Sequence, residues 1–225
     1  MSKHNLIWTL QSDFPKEWIS DVESLNFSIT HVPLIKLSQT KDFNLIFPLL
    51  NQNNIILTSP YSSKLLVKKI SKKFDFFVVG NKAAKTLTDN GMNVIKTYNN
   101  SRELAKWIEK NSNKYFIHLC SEKTDKNLWP SNVSLIPFYK PIENKKFNYE
   151  KYKNLDNSTV IFGSPSGVEV WFKNRNKYKK LNYACMGQTT ADKIFEYTDD
   201  KVIFPKDSTI STLLSLVTES LNEKK

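Results

Sequence analysis

Short apolar, β-branched or aromatic runs bounded by turn residues recur along the chain: NLIW (5–8), NIIL (54–57), FFVV (76–79), YFIHL (115–119), TVIF (159–162), YACM (183–186) and KVIF (201–204). Their length and side-chain types predict buried strands. The segments between them have helical spacing instead. Apolar or small residues fall at Ser63, Leu66, Val67 and Ile70; at Ala83, Ala84 and Leu87; and at Leu104, Trp107 and Ile108. The later sets are Val168, Trp171 and Phe172; Ala191, Ile194 and Phe195; and Leu214, Val217 and Leu221. Each set lines one side of a helix. Strands alternating with helices predict an α/β fold with parallel, helix-covered sheets.

The pattern repeats. LTSPYSSKLLV (57–67) followed by VVGNKAAKTLTDNG (78–91) lines up with IFGSPSGVEVWF (161–172) followed by CMGQTTADKIFEYTD (185–199). Ser59-Pro60 matches Ser164-Pro165 at an offset of 105 residues, and Gly80 matches Gly187 at 107. Beyond them, NVIKTYNNSRELAKWI (93–108) runs parallel to KVIFPKDSTISTLLSLV (201–217), each a strand, a polar loop and an apolar-faced helix. Two similar α/β lobes are the simplest account. The proline-containing extended stretches THVPLIKLSQ (30–39) and SLIPFYKPI (134–142) suit edge strands or linkers. With crossings near 32–40 and 134–143, residues 1–37 and 142–225 form one discontinuous lobe and 38–141 an inserted one. Two crossings would act as a hinge that permits closure around a ligand.

In each copy the order of strand, Ser-Pro, small polar residues and helix sets a turn at the carboxyl end of a strand and the amino end of a helix. Free backbone N–H groups and the positive end of the helix dipole meet there, which suits carboxylate or phosphate. Ser62 and Ser63 keep the first loop small and polar, as Ser166 and Gly167 keep the second. Helix capping alone is the plainer explanation of such serines. Duplication of the loop in one chain favours binding. Gly80-Asn81 and Gly187-Gln188-Thr189-Thr190 likewise place a glycine between a strand and a helix. Neither is a Gly-x-Gly-x-x-Gly fingerprint or a P-loop, which disfavours nucleotide cofactors. Gly163-Ser164-Pro165-Ser166-Gly167 is not a nucleophile elbow, because proline stands where the serine belongs.

Charge narrows the ligand. The net charge of +11 asks for an anionic partner: nucleic acid, a membrane surface or a polyacidic small molecule. Lysine, asparagine and isoleucine are all abundant, so biased coding with a solvated surface also accounts for the charge taken alone. The lysines are scattered in groups such as Lys68-Lys69, Lys72-Lys73 and Lys145-Lys146, with no zinc-finger spacing, RNP-like run or KH loop beside them. His4, His31 and His118 lack metal-ligand spacing, and His118 reads as a core or edge residue of its strand. Cys185 reads as an inert buried thiol and Cys120, after a strand, as an exposed one; they form no Cys-x-x-Cys pair. No secretory leader or membrane span is read in the sequence, so a reducing cytoplasm is the expected compartment.

In this order and spacing, LTSPYSS, VVGNKAAKTLTDNG, SLIPFYKPI, IFGSPSGVEVWF and CMGQTTADKIF resemble the uroporphyrinogen-III synthase family, over nearly the whole chain. The resemblance implies two flavodoxin-like lobes joined by a two-stranded linker, with the active site between them and no metal or cofactor. It implies hydroxymethylbilane as substrate, a linear tetrapyrrole whose rings each carry an acetate and a propionate. Such a polyanion suits the basic balance better than nucleic acid or a membrane does. Tyr139 in FYKPI (138–142) matches the family's linker tyrosine, which the resemblance casts as an acid or hydrogen-bond donor to departing hydroxide; a packed aromatic is the plainer reading. Ser59, Ser62, Gly80, Asn81, Ser164, Ser166, Gly167, Gly187, Thr189 and Thr190 fall on the carboxylate-binding loops.

Departures are local. Ala83 replaces a hydroxyl often found three residues after the first Gly-turn, Gln11-Ser12 stand where a basic residue is usual, and Thr198-Asp199 replace the Asn90-Gly91 ending of the first copy. A monomeric lyase of tetrapyrrole biosynthesis is expected. The rival readings are a non-catalytic two-lobed polyacid-binding protein, in which Tyr139 is linker packing, and a basic nucleic-acid binder.

Overall fold

The computed structural model describes residues 4–41, 44, 50, 54–70, 74–111, 113–145, 158–173 and 181–222. Lys72, Lys73 and Lys146 lie outside them. In chain order the strands are β1 (His4–Trp8), β2 (Phe27–His31), β3 (Ile35–Gln39), β4 (Asn54–Leu57), β5 (Asp75–Val79), β6 (Asn93–Tyr98), β7 (Phe116–Ser121), β8 (Val133–Glu143), β9 (Ser158–Phe162), β10 (Leu181–Cys185) and β11 (Val202–Ile203). The helices are α1 (Ile19–Ser24), α2 (Pro60–Leu66), α3 (Asn81–Thr88), α4 (Ser101–Asn111), α5 (Pro165–Lys173), α6 (Gln188–Phe195) and α7 (Ile210–Asn222). The chain divides into two compact units, Met1–Lys36 with Ile142–Lys225, and Leu37–Pro141.

The discontinuous unit carries a sheet in the order β11-β10-β9-β1-β2, with every pairing parallel. Successive side chains leave a strand on opposite faces, so each strand feeds two cores. Ile7, Val160, Phe162, Tyr183 and Cys185 pack against Val168 and Trp171 of α5 and Ala191 and Ile194 of α6. Their sequence neighbours Leu6, Trp8, Ile161 and Ala184 pack against Leu213, Leu214 and Val217 of α7. Burial on both faces is why these strands read as continuous apolar runs. Each fully buried large aliphatic or aromatic side chain contributes about 1.5–3 kcal/mol.

The contiguous unit repeats the plan. Its sheet runs β3-β8-β7-β4-β5-β6. Ile55, Leu57, Phe76 and Val78 pack on the α2 and α3 side with Leu66, Ala83 and Leu87, while Ile56, Phe77 and Phe116 pack on the α4 side with Leu104 and Ile108. The strands β3 and β8 each run across the division between units. Thr40 N–H donates to Phe138 O at 3.4 Å and Asn144 N–H to Leu34 O at 2.9 Å, so this pair is antiparallel.

Both units have the flavodoxin-like order 2-1-3-4-5. In the discontinuous unit it is β2-β1-β9-β10-β11, and in the contiguous unit β8-β7-β4-β5-β6 with β3 added outside β8. The contiguous unit therefore makes its first and second positions last. The order reverses between β1 and β9 and between β7 and β4. Open α/β sheets bind ligands beyond the carboxyl ends of strands at such points.

Two elements lie outside the predicted runs. The edge strand β2 buries only Phe27 of its own residues, and α1 buries only Val22, so neither carries a long apolar signature. Asn26, at φ 62, turns the chain from α1 into β2.

Candidate functional site

The predicted loops of each unit open on one end of its sheet. In the contiguous unit Ser59 follows β4 and Gly80 follows β5, and these strands are neighbours. In the discontinuous unit Ser164 follows β9 and Gly187 follows β10, again neighbours. All stand at carboxyl strand ends and open a helix, whose first N–H groups have no intrahelical acceptor.

Ser59 caps α2. Its hydroxyl accepts the Tyr61 N–H at 3.2 Å, and its carbonyl accepts the Ser63 N–H at 3.2 Å and the Ser62 hydroxyl at 2.8 Å. Ser62 is fully buried, so its hydroxyl braces the loop rather than facing solvent. Gly80 has φ 83, a conformation side chains rarely adopt, and its N–H donates to Tyr98 O at 2.9 Å. Asn81 is exposed as the first residue of α3.

In the other unit, Ser164 O accepts the Gly167 N–H at 3.1 Å; Ser164 and Ser166 are half-buried and Gly167 is buried. Gly187 opens an outward-facing recess of about 160 Å³ lined by Met186, Gly187, Gln188, Thr189, Thr190 and Ser208. Thr189 is exposed there, whereas Thr190 is buried. Ser208 has φ 54. The adjoining Asp207 accepts the Thr209 N–H and the Thr209 and Thr212 hydroxyls, and these bonds hold its carboxyl below the usual range.

The two Gly-turns forbid side chains for different reasons. A Cβ at Gly80 meets nothing within 4 Å, so its obstacle is φ alone. A Cβ at Gly187 would come 2.6 Å from Ser208 Oγ, on backbone whose φ of 168 is ordinary extended chain. Gly80→Ala is expected to cost about 1–3 kcal/mol from backbone strain. Gly187→Ala should be relieved by Ser208→Gly, which suits the positive φ of Ser208. Urea unfolding of the single and double variants measures both, and strict additivity of the pair would exclude the steric account.

Tyr139 lies in β8 opposite Ser121 of β7. Its ring meets that of Tyr61, in the first turn of α2, edge-on at 5.4 Å. The residue is 8% exposed, and burial raises its pKa above the ordinary 10, so the phenol keeps its proton at neutral pH. Tyr139 therefore lies against the helix turn that Ser59 caps, near the β7/β4 switch point. Cys120 corrects an expectation. It is the penultimate residue of β7, 2% exposed, with its Sγ against Ile136 O at 3.6 Å. The pairing of β8 alongside β7 is what covers it.

Sequence reasoning passed over one polar pair. His118 Nε2 lies 3.1 Å from Thr58 Oγ1, with the imidazole 1% exposed and packed 4.3 Å from the Trp129 ring. Nothing local signals the pair, because its members are 60 residues apart. Burial lowers the His118 pKa from 6.5 to about 3. An unfolded chain protonates this imidazole near 6.5, so between these values it binds the extra proton and the folded chain does not. Stability contributed by His118 is thus intact above pH 6.5 and lost as pH falls toward 3, at up to about 1.4 kcal/mol per pH unit. Urea midpoints at pH 7 and pH 5 should fall further apart for the parent than for His118→Gln; equal differences would refute the assignment.

Among the described residues, no group of three or more His, Cys, Asp or Glu side chains is placed to hold a metal ion. No described helix is long and apolar enough to cross a membrane.

A sequence model of the family described as uroporphyrinogen-III synthase HemD matches residues 16–215. The chain belongs to the uroporphyrinogen-III synthase family. Solved structures agree on the fold. Uroporphyrinogen-III synthetase from Helicobacter pylori is similar with a TM-score of 0.66 at 13% identity, over 96% of this chain and 99% of that one. A mutant uroporphyrinogen III synthase from Thermus thermophilus gives 0.62 at 13% identity, over 98% and 99%. The wild-type Thermus protein in another crystal form gives 0.51 at 14%, over 98% and 99%. A comparison with curated protein sequences finds no significant match. As a uroporphyrinogen-III synthase family member, the chain is an enzyme of tetrapyrrole biosynthesis.

Proposed function

We propose that the chain cyclises hydroxymethylbilane to uroporphyrinogen III with inversion of ring D and release of one water, as a lyase. The observation that carries this reading is the family match over residues 16–215. The Tyr139 phenol against Tyr61, at the carboxyl edge of a flavodoxin-like sheet, gives it a chemical centre.

In this reading the loops at Ser59 and Gly80-Asn81 in one unit, and at Ser164-Ser166-Gly167 and Gly187-Thr189 in the other, each offer substrate carboxylates helix N-terminal N–H groups and exposed hydroxyls. Ser62 and Thr190 shape those loops from within. Tyr139 donates its proton to the hydroxyl on the ring A methylene, the C–O bond breaks to release water, and loss of the ring A pyrrole N–H proton, which restores the phenol, leaves a neutral electrophilic azafulvene. A buried phenol is a weak acid, yet departing hydroxide, conjugate to water of pKa about 15.7, is a far stronger base. The substituted α-carbon of ring D then attacks the azafulvene carbon. The resulting spiro intermediate fragments and recloses with ring D turned round. Unassisted closure gives the type I isomer, so the protein must hold the chain in the geometry that favours attack at the substituted carbon.

The test is direct. The protein is supplied with hydroxymethylbilane and the oxidised products are separated by isomer. Type III product is expected; type I alone, at the spontaneous rate, would overturn the reading. We also read the chain as a cytoplasmic monomer that uses no metal or cofactor, for which light scattering of the purified protein and activity after exhaustive chelation are the measurements.

A further inference from the structure

We propose that His118 is a positioning residue for the cyclisation, holding the Ser59 loop in register with the Tyr139 phenol through its hydrogen bond to Thr58. This role rests on the reading of Tyr139 as the proton donor.

The chain of contacts is short. His118 Nε2 meets Thr58 Oγ1 at 3.1 Å. Thr58 is bonded directly to Ser59, whose hydroxyl takes the Tyr61 N–H, and the Tyr61 ring packs edge-on against Tyr139 at 5.4 Å. On the Tyr139 side, Glu122 N–H donates to Tyr139 O at 2.8 Å, which fixes the backbone of the phenol. The donor's backbone is thus set by the strand ladder. The loop opposite it hangs from the end of β4, where Ser62 braces it from within and His118 grips it from the neighbouring strand.

The repeat shows that the fold itself does not require a histidine. In the contiguous unit His118 is paired in register with Ile56, and in the other unit Trp8 is paired with Ile161. Ile56 and Ile161 are separated by 105 residues, the offset of Ser59 and Ser164. Trp8 and His118 are therefore twins. Trp8 satisfies its one polar atom by donating to Ser12 O at 2.7 Å. His118 instead leaves Nδ1 buried with no partner, beside the equally unpartnered Trp129 Nε1. Thr58 has Gly163 as its twin, and a Cβ there would meet Leu10 Cγ at 2.6 Å. One unit closes this point with a leucine over a glycine; the other keeps a hydroxyl and an imidazole. A buried nitrogen without a partner is a cost that a purely structural position sheds. Its low pKa keeps the imidazole neutral, so the grip does not change over the physiological pH range.

Steady-state kinetics of type III formation test the proposal in the full chain. Thr58→Val keeps shape and removes the hydroxyl, and should lower kcat about tenfold, the size of one net hydrogen bond, with KM little changed. Thr58→Ser should retain most activity. His118→Gln places an amide where Nε2 stands and should keep most of kcat, whereas His118→Asn reaches only as far as Nδ1 and should match Thr58→Val. In a Tyr139→Phe background Thr58→Val should cost nothing further. Parental kcat for Thr58→Val, equal activity of the Gln and Asn variants, or an additive loss in the Tyr139→Phe background would each overturn it. Parental turnover of Tyr139→Phe alone would remove the Tyr139 reading and the proposal with it, a failure visible before any Thr58 variant is made. If His118→Asn does not fold, the half-buried Thr58 pair decides alone.

Discussion

Tyr139→Phe is expected to lower kcat for type III product by about 100-fold, at the lower end of what a positioned proton donor contributes, while KM moves little. The ring remains in the same core beside Phe138 and against Tyr61, so packing is retained. Only the hydroxyl goes. Loss of that one polar group should change stability by no more than about 1.5 kcal/mol, which urea unfolding can separate from the kinetic effect. The isomer ratio carries further information. With hydroxide departure slowed, spontaneous closure competes, and the type I fraction should rise. Parental kcat and an unchanged ratio would reduce Tyr139 to a packed aromatic of β8.

Thr189→Glu should separate binding from folding by moving them in opposite directions. Thr189 is exposed in the first turn of α6, within the recess beside Gly187. A carboxylate in the first turn of a helix interacts favourably with the dipole, by about 0.3–1 kcal/mol when exposed. Folding stability should therefore hold or rise. The same carboxylate occupies and repels the position offered to a substrate carboxylate, and KM for hydroxymethylbilane is expected to rise at least about tenfold, one such anionic contact. Thr189→Gln is the neutral control and should leave KM near the parent. A glutamate variant with unchanged KM would exclude this helix terminus from substrate binding.

The sequence disclosed what depends on local patterning. Strands β4, β5, β7 and β9 stood out because both faces are buried, and α3 to α7 because their apolar residues keep helical spacing. The Ser-Pro and Gly-turn loops were visible because the chain carries each twice. Strand β2 escaped because an edge position needs little apolar surface. Side-chain direction escaped as well: Ser62 and Thr190 lie in the predicted loops but are buried, and nothing in a run of small polar residues says which hydroxyl faces outward. Cys120 is buried against expectation because what covers it arrives with β8, later in the chain. The Thr58–His118 pair and the nearness of Ser208 to Gly187 depend on tertiary pairing, and a serine at φ 54 has no composition signal of its own.

The chain order of the two units also sets a timetable for their making. Everything in Leu37–Pro141 is contiguous, so that unit can close its sheet as soon as β8 has left the ribosome. The other unit cannot. β1 and β2 emerge first, but the inner flank of β1 is filled only by β9, and α7, which covers the face carrying Leu6 and Trp8, is made near the end. At a synthesis rate of about 5–20 residues per second, that apolar edge waits roughly 8–30 s with its partner unmade. The nascent chain is thus most exposed to aggregation and chaperone capture at β1 and β2, and truncation between β8 and β9 should leave one finished unit tethered to two orphaned strands.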